Sequence, residues 1–123
     1  MVSAEYNKQK GILISKFEGK LTLKEVVDYI VATKENKSYP RKLKILTDAT
    51  KSEMVFKHGD LSVIVEENYN SLEKYEQIID AIIIESTKET AFSVLYKEMA
   101  KTNKYKFSIF STREAALQWL EKF

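Results

Sequence analysis

The chain has no cysteine, one histidine (His58), one proline (Pro40) and three glycines among 123 residues. Without cysteine there is no disulfide framework, thiolate nucleophile, iron–sulfur cluster or Cys-ligated zinc. A single histidine excludes His-pair metal motifs, and three scattered glycines leave no glycine-rich phosphate loop. No cofactor and no metal is therefore expected. Long apolar runs are also missing. The longest strictly apolar one, Ala81–Ile84, falls far short of a membrane span, and Met1–Gly11 lacks the apolar stretch of a secretion signal. These absences lead to the expectation of a cytoplasmic protein with no membrane span.

What is present points to a folded domain. The chain is 44% apolar and 11% aromatic, too rich for disorder. Its length suits one domain over residues 1–123. The net charge of +2 hides an uneven distribution. Residues 1–51 carry 11 basic and 6 acidic groups, residues 52–98 carry 4 and 10, and residues 99–123 carry 5 and 2. None is a solid run of one sign, so they read as solvated faces.

Alternation marks strands, and i, i+3, i+4 spacing marks helices. Glu5–Gln9 and Ile12–Phe17 flank Lys10-Gly11, which predicts a tight hairpin turn. Thr22 with Glu25 is a capping box opening a helix whose apolar face is Leu23, Val26, Val27, Ile30 and Val31. Leu43–Asp48 is the next strand. Asp60 is expected to cap a second helix striped by Leu61, Ile64, Val65, Tyr69 and Leu72. Ile78–Glu85 is a strand whose Ala81-Ile82-Ile83-Ile84 core is apolar on both faces, as in a central parallel strand. Ser86 with Glu89 opens a third helix striped by Ala91, Val94, Leu95 and Met99. After a strand at Tyr105–Phe110, Ser111 with Glu114 opens the last helix, which buries Ala116, Trp119, Leu120 and Phe123. The order β-β-α-β-α-β-α-β-α predicts an α/β fold: a single, mostly parallel five-stranded sheet with an antiparallel N-terminal edge strand and four helices.

Four stretches carry a family resemblance: Ile12–Thr22, Leu43–Asp48, Ala81–Ile84, and Phe107–Leu120 with its Phe110-Ser-Thr-Arg-Glu114 and Trp119-Leu120. Together they resemble the SpoIIAA-like branch of the STAS families (sulfate-transporter and anti-sigma-factor-antagonist domains). That branch is related in fold to lipid-carrying domains of the Sec14 type. The resemblance covers nearly the whole chain and implies a non-enzymatic binding or interaction module. In the anti-sigma-factor antagonists a phosphorylatable Ser follows the Asp that Asp48 would match. Here that position is Ala49, which cannot accept phosphate, so Thr50 or Ser52 would have to serve through a shifted loop.

In open α/β sheets, ligands gather outside the carboxyl ends of the strands. The loops there are Glu18–Thr22, Ala49–Gly59, Glu85–Thr87 and Ser111–Thr112, which makes Asp48, Thr50, Met54, Phe56, Ser86, Thr87 and Ser111 the candidate binding residues. Met54-Val55-Phe56 is an apolar triplet in an otherwise polar connection. If Met54 and Phe56 line a pocket or interface, changing both to Ser should abolish binding and spare the fold. His58, Asp60 and Ser52 accompany no nucleophile-elbow motif, so His58 is read as a solvated or loop-bracing residue. Glu66, Glu67, Glu73 and Glu76 are read as a solvent face, and the strand-end Asp48 and Asp80 as backbone ties. Lys37, Arg41, Lys42 and Lys44, with Lys101, Lys104 and Lys106, are interleaved with Tyr39 and Tyr105. The pI near 8.6 lies below the footprint of a nucleic-acid binder, so none is expected. Two functions from different classes remain. One is an interaction module that binds a regulatory protein partner through these loops. The other is a carrier or sensor of a small apolar or anionic, lipid-like ligand. A homodimer through an edge strand or an apolar patch is compatible with either.

Overall fold

The computed structural model describes residues 1–123, with elements in the order read from the sequence. The strands are β1 (Val2–Asn7), β2 (Ile12–Leu21), β3 (Lys42–Met54), β4 (Gln77–Ile83) and β5 (Tyr105–Phe110). The helices are α1 (Leu23–Glu35), α2 (Leu61–Ser71), α3 (Thr87–Met99) and α4 (Arg113–Leu120). The sheet runs β1-β2-β3-β4-β5, antiparallel between β1 and β2 and parallel elsewhere. Each crossover steps one strand in the same direction. The right-handed rule then stacks α1, α2 and α3 on one face. After β5 the chain turns back, and α4 packs on the other face through Ala116 and Leu120 against Leu46, Ile79, Ala81 and Ile83.

The hairpin turn closes where Gly11 N–H donates to Asn7 O at 2.8 Å and Lys10 N–H to Asn7 Oδ1 at 2.9 Å. Gly11 takes φ +67°, a conformation that disfavours a Cβ. The Thr22 box is complete: Glu25 N–H donates to Thr22 Oγ1 at 3.2 Å, and Thr22 N–H to Glu25 Oε1 at 3.1 Å.

Several expectations change. Strand β3 does not end at Asp48 but continues to Met54, pairing Gly19 with Ser52 and Leu21 with Met54. The register advances two residues on β2, from Lys16 to Glu18, while β3 advances three, from Asp48 to Lys51. That extra residue is a bulge, and Asp48 Oδ1 ties it by accepting from Thr50 N at 3.1 Å and Thr50 Oγ1 at 2.7 Å. One extra residue inverts the pleat beyond it. Before the bulge Leu43, Ile45 and Thr47 face α1–α3; after it Met54 does, beside Leu21. The loop reading failed because the bulge interrupts the alternation and Thr50–Glu53 is polar.

Ser111 is not the last helix cap. Thr112 is, accepting from Ala115 N at 3.2 Å, which places Ser111 outside the helix and exposed. Asp60 makes no side-chain cap to α2; its Oδ2 accepts from Lys57 N at 2.9 Å and closes a short 3-10 turn over His58–Asp60. The α3 stripe lies on the wrong side. Val94, Leu95 and Met99 are 40–50% exposed, while Glu89, Phe92 and Ser93 are buried. Tyr69, expected inside, is 62% exposed, and Asn68 takes the inner position.

Candidate functional site

A cavity of about 100 Å³ lies between the sheet and α1–α3. Of its 22 lining residues 16 are hydrophobic, and none is Lys, Arg or His. Its floor is the inward row of the sheet: Phe17 and Leu21 from β2, Ile45 and Thr47 from β3, Ile78, Asp80 and Ile82 from β4, and Tyr105 and Phe107 from β5. The helices supply Val26, Tyr29 and Ile30, then Leu61, Ile64 and Asn68, then Phe92, Ser93 and Tyr96. Met54 and Phe56 close one end, and Phe56 meets Phe92 edge-on with ring centroids 5.4 Å apart.

Polar side chains break this lining on the helices, at Thr33, Asn68, Ser71 and Ser93, and on the sheet around Asp80. Thr47 Oγ1 donates to Asp80 Oδ1 at 2.9 Å. The Ser15 and Tyr29 hydroxyls share a hydrogen bond of 2.6 Å, and Tyr96 OH donates to Tyr105 OH at 3.1 Å. Tyr96 and Tyr105 also pack on Phe107, at 5.1 Å and 5.9 Å between centroids, so three rings form an aromatic wall.

Asp80 is the one ionisable carboxyl on this surface. Thr47 is its sole hydrogen-bond partner, through Oδ1. Asp80 lines the cavity without being fully enclosed, and its second oxygen, Oδ2, has no partner among the protein side chains and opens onto the cavity space. Burial raises its pKa to about 7, against the opposing pull of the Thr47 hydrogen bond, and no cation contributes. Burial also raises Tyr29, Tyr96 and Tyr105, and the Asp80 charge adds to each.

Two comparisons, one with family models and one with curated proteins, found no match. A comparison with solved structures did. The chain is similar to an uncharacterised protein of the DUF3478 family with a SpoIIAA-like fold from Shewanella loihica PV-4. The TM-score is 0.61 with 18% identity, over 98% of this chain and 92% of that one. The fold is SpoIIAA-like. That neighbour carries no assigned function, and identity this low speaks for the fold alone.

Of the residues proposed from sequence, this SpoIIAA-like frame brings Met54 and Phe56 to the cavity, both buried, with Val55 turned outward. Ser86 stands nearby through Glu89: Glu89 Oε1 accepts from the Ser86 hydroxyl, and Oε2 from Met54 N at 3.3 Å. Asp48, Thr50, Thr87 and Ser111 do not line it. Asp48 serves the bulge as a backbone tie; burial opposes its ionisation, but the Thr50 hydrogen bonds with the Lys16 and Arg113 charges outweigh that and keep its pKa low. The Ser52 hydroxyl donates to Ala49 O at 2.8 Å, so both hydroxyls considered for phosphorylation, Thr50 and Ser52, make local ties. His58 braces the loop by stacking on Phe92 at 4.5 Å.

Asp80 overturns its sequence reading. It lies in the middle of β4, not at its opening, and binds a side chain rather than backbone. Tyr29, Thr47, Tyr96 and Tyr105 also line the cavity and lie outside the candidate residues that the strand-end loops suggest. A signal existed: in Ile78-x-Asp80-x-Ile82 the aspartate takes the inward position of an otherwise apolar row. Among the basic clusters, Arg41 donates to Lys74 O at 2.8 Å and Asn36 O at 3.0 Å and lies 4.3 Å from the Tyr75 ring centre, while Lys104 donates to Leu72 O at 2.7 Å. Tyr105 is buried inside. No helix is long and apolar enough to cross a membrane, and no group of three His, Cys, Asp or Glu could hold a metal ion.

Proposed function

We propose that this protein is a non-enzymatic binding domain that holds a small, mainly apolar ligand in the cavity between its sheet and α1–α3, as a carrier or sensor. The supporting observation is the burial of Met54 and Phe56 against that cavity. Exposed on a loop, they would have favoured a docking surface for a protein partner; turned inward, they favour an internal ligand. An apolar cavity of about 150 Å³ takes a benzene ring without ordered water, and the rigid volume here, about 100 Å³, sets a tighter limit. A ligand near one aromatic ring in size is therefore indicated, smaller than a full lipid chain.

Titration with toluene tests this reading. Binding to the folded state alone raises the melting temperature in proportion to the logarithm of ligand concentration. Ser93→Leu, which adds side-chain volume at the cavity wall, should cancel that rise. An equal rise in the variant, or none in the wild type, refutes the reading. Native mass spectrometry of freshly purified protein would reveal a retained ligand and the oligomeric state together.

A further inference from the structure

Neutral polar side chains (Thr33, Asn68, Ser71 and Ser93) also line this mainly apolar cavity, but its one ionisable carboxyl defines the zone that discriminates charged from neutral ligands. Here the zone consists of a carboxyl with one oxygen turned into the free space, hydroxyls that can accept hydrogen bonds, and the faces of Tyr96, Tyr105 and Phe107. No Lys, Arg or His faces it, so Asp80 has no countercharge within the protein. An anionic head, whether carboxylate or phosphate, would meet a like charge with nothing to neutralise either group. A wholly apolar ligand would leave Asp80 Oδ2 unpaired, and an unpaired buried acceptor carries a desolvation penalty. A protonated amine removes both difficulties. It supplies the absent countercharge, donates to Oδ2 and to neighbouring hydroxyls, and is attracted to aromatic faces.

We propose that the cavity selects a small organic amine, its ammonium head paired with Asp80 beside the Tyr96–Tyr105–Phe107 wall and its apolar body held against the flanking Ile45, Ile78 and Ile82. This rests on the cavity being the ligand site, and it narrows the earlier expectation of an apolar or anionic ligand to a cationic one. Burial raises the Asp80 pKa to about 7, so amine binding is linked to proton release from the carboxyl. The other titratable groups facing it are Tyr29 from α1, Tyr96 from α3 and Tyr105 from β5, all held above their ordinary range. Asp80 is thus the only one that titrates near neutrality.

Calorimetry with four probes of one shape, benzylamine, benzyl alcohol, toluene and benzoate, tests the selection. At pH 8 benzylamine should bind roughly tenfold or more tightly than toluene and benzyl alcohol, and benzoate most weakly. Asp80→Asn should reduce that lead to within about twofold while toluene binding persists, which also reports that the variant is folded. In the wild type, benzylamine affinity should rise from pH 5 to pH 8 and toluene affinity should not, a readout independent of the variant. Toluene or benzyl alcohol matching benzylamine, or a lead that survives in Asp80→Asn, overturns the amine proposal and leaves the cavity reading standing. If none of the four probes binds, both fall.

Discussion

Replacing Asp80 with Asn should change how stability depends on pH, and the sign follows from its environment. The unfolded carboxyl releases its proton near the ordinary value of 3.8, whereas the folded one holds it to about 7. The proton is bound more tightly in the folded state, so this group favours folding at low pH and loses that contribution as pH rises through the folded value. Wild-type stability should therefore carry a component that falls between about pH 4 and pH 7 and then levels off. About three pKa units at roughly 1.4 kcal/mol each make this on the order of 4 kcal/mol. The side-chain amide introduced by Asp80→Asn keeps an acceptor for Thr47 Oγ1 but turns its NH2 group into the cavity, at a pH-independent cost of about 1–3 kcal/mol if unpaired. The variant should be the less stable protein near pH 4 and the more stable one at pH 8. Urea unfolding at several pH values, followed by far-ultraviolet circular dichroism, measures the difference. Other carboxylates held low, such as Asp48, tilt both curves alike and cancel in the subtraction. Parallel curves from pH 4 to pH 8 would show that Asp80 is not desolvated and would refute the reasoning.

Three further substitutions probe the frame around the cavity. Thr112→Ala should cost about 1 kcal/mol by removing the α4 cap, while Ser111→Ala should stay within about 0.5 kcal/mol, as read by urea midpoints. Met54→Ser and Phe56→Ser should each destabilise by about 2–5 kcal/mol, since both side chains belong to the core. Preserved melting temperatures in both would restore the surface reading of that segment. Tyr29→Phe leaves the fully buried Ser15 hydroxyl without its partner and should cost about 1–2 kcal/mol, with no effect on the pH dependence that Asp80 sets.

The element order was legible because its signals are local. Thr22 and Glu25 close their box within one turn, and Gly11 permits the hairpin turn the strands require. What failed depended on tertiary placement. The bulge at Asp48–Thr50 lets an apparently polar loop continue as strand and turn Met54 inward. In α3 the inward positions are Glu89 and Ser93 as well as Phe92, so an apolar stripe read from sequence selects the solvent side. Glu89 is buried because Ser86 and the Met54 N–H satisfy it, a pairing 35 residues long for the backbone donor. No periodicity rule contains that distance. The same limit hid the cavity's polar zone: Met54 and Phe56 stood out as apolar residues in a polar stretch, whereas Asp80, Tyr29 and Tyr105 meet only through the fold.

Two features of the interior oppose stability. A cavity forfeits the contacts its lining would make if filled, and Asp80 places an ionisable group in an otherwise apolar row where an aliphatic side chain would pack better. They occur together, with the unpaired oxygen of the carboxyl facing the unfilled space, and one event corrects both. A ligand with an apolar body restores the missing contacts, and a donor on that ligand completes the carboxyl. Filling the cavity with protein atoms alone would recover packing and still leave Asp80 unpaired. Changing Asp80 alone would relieve the charge and still leave the void. Their juxtaposition is what a binding site requires.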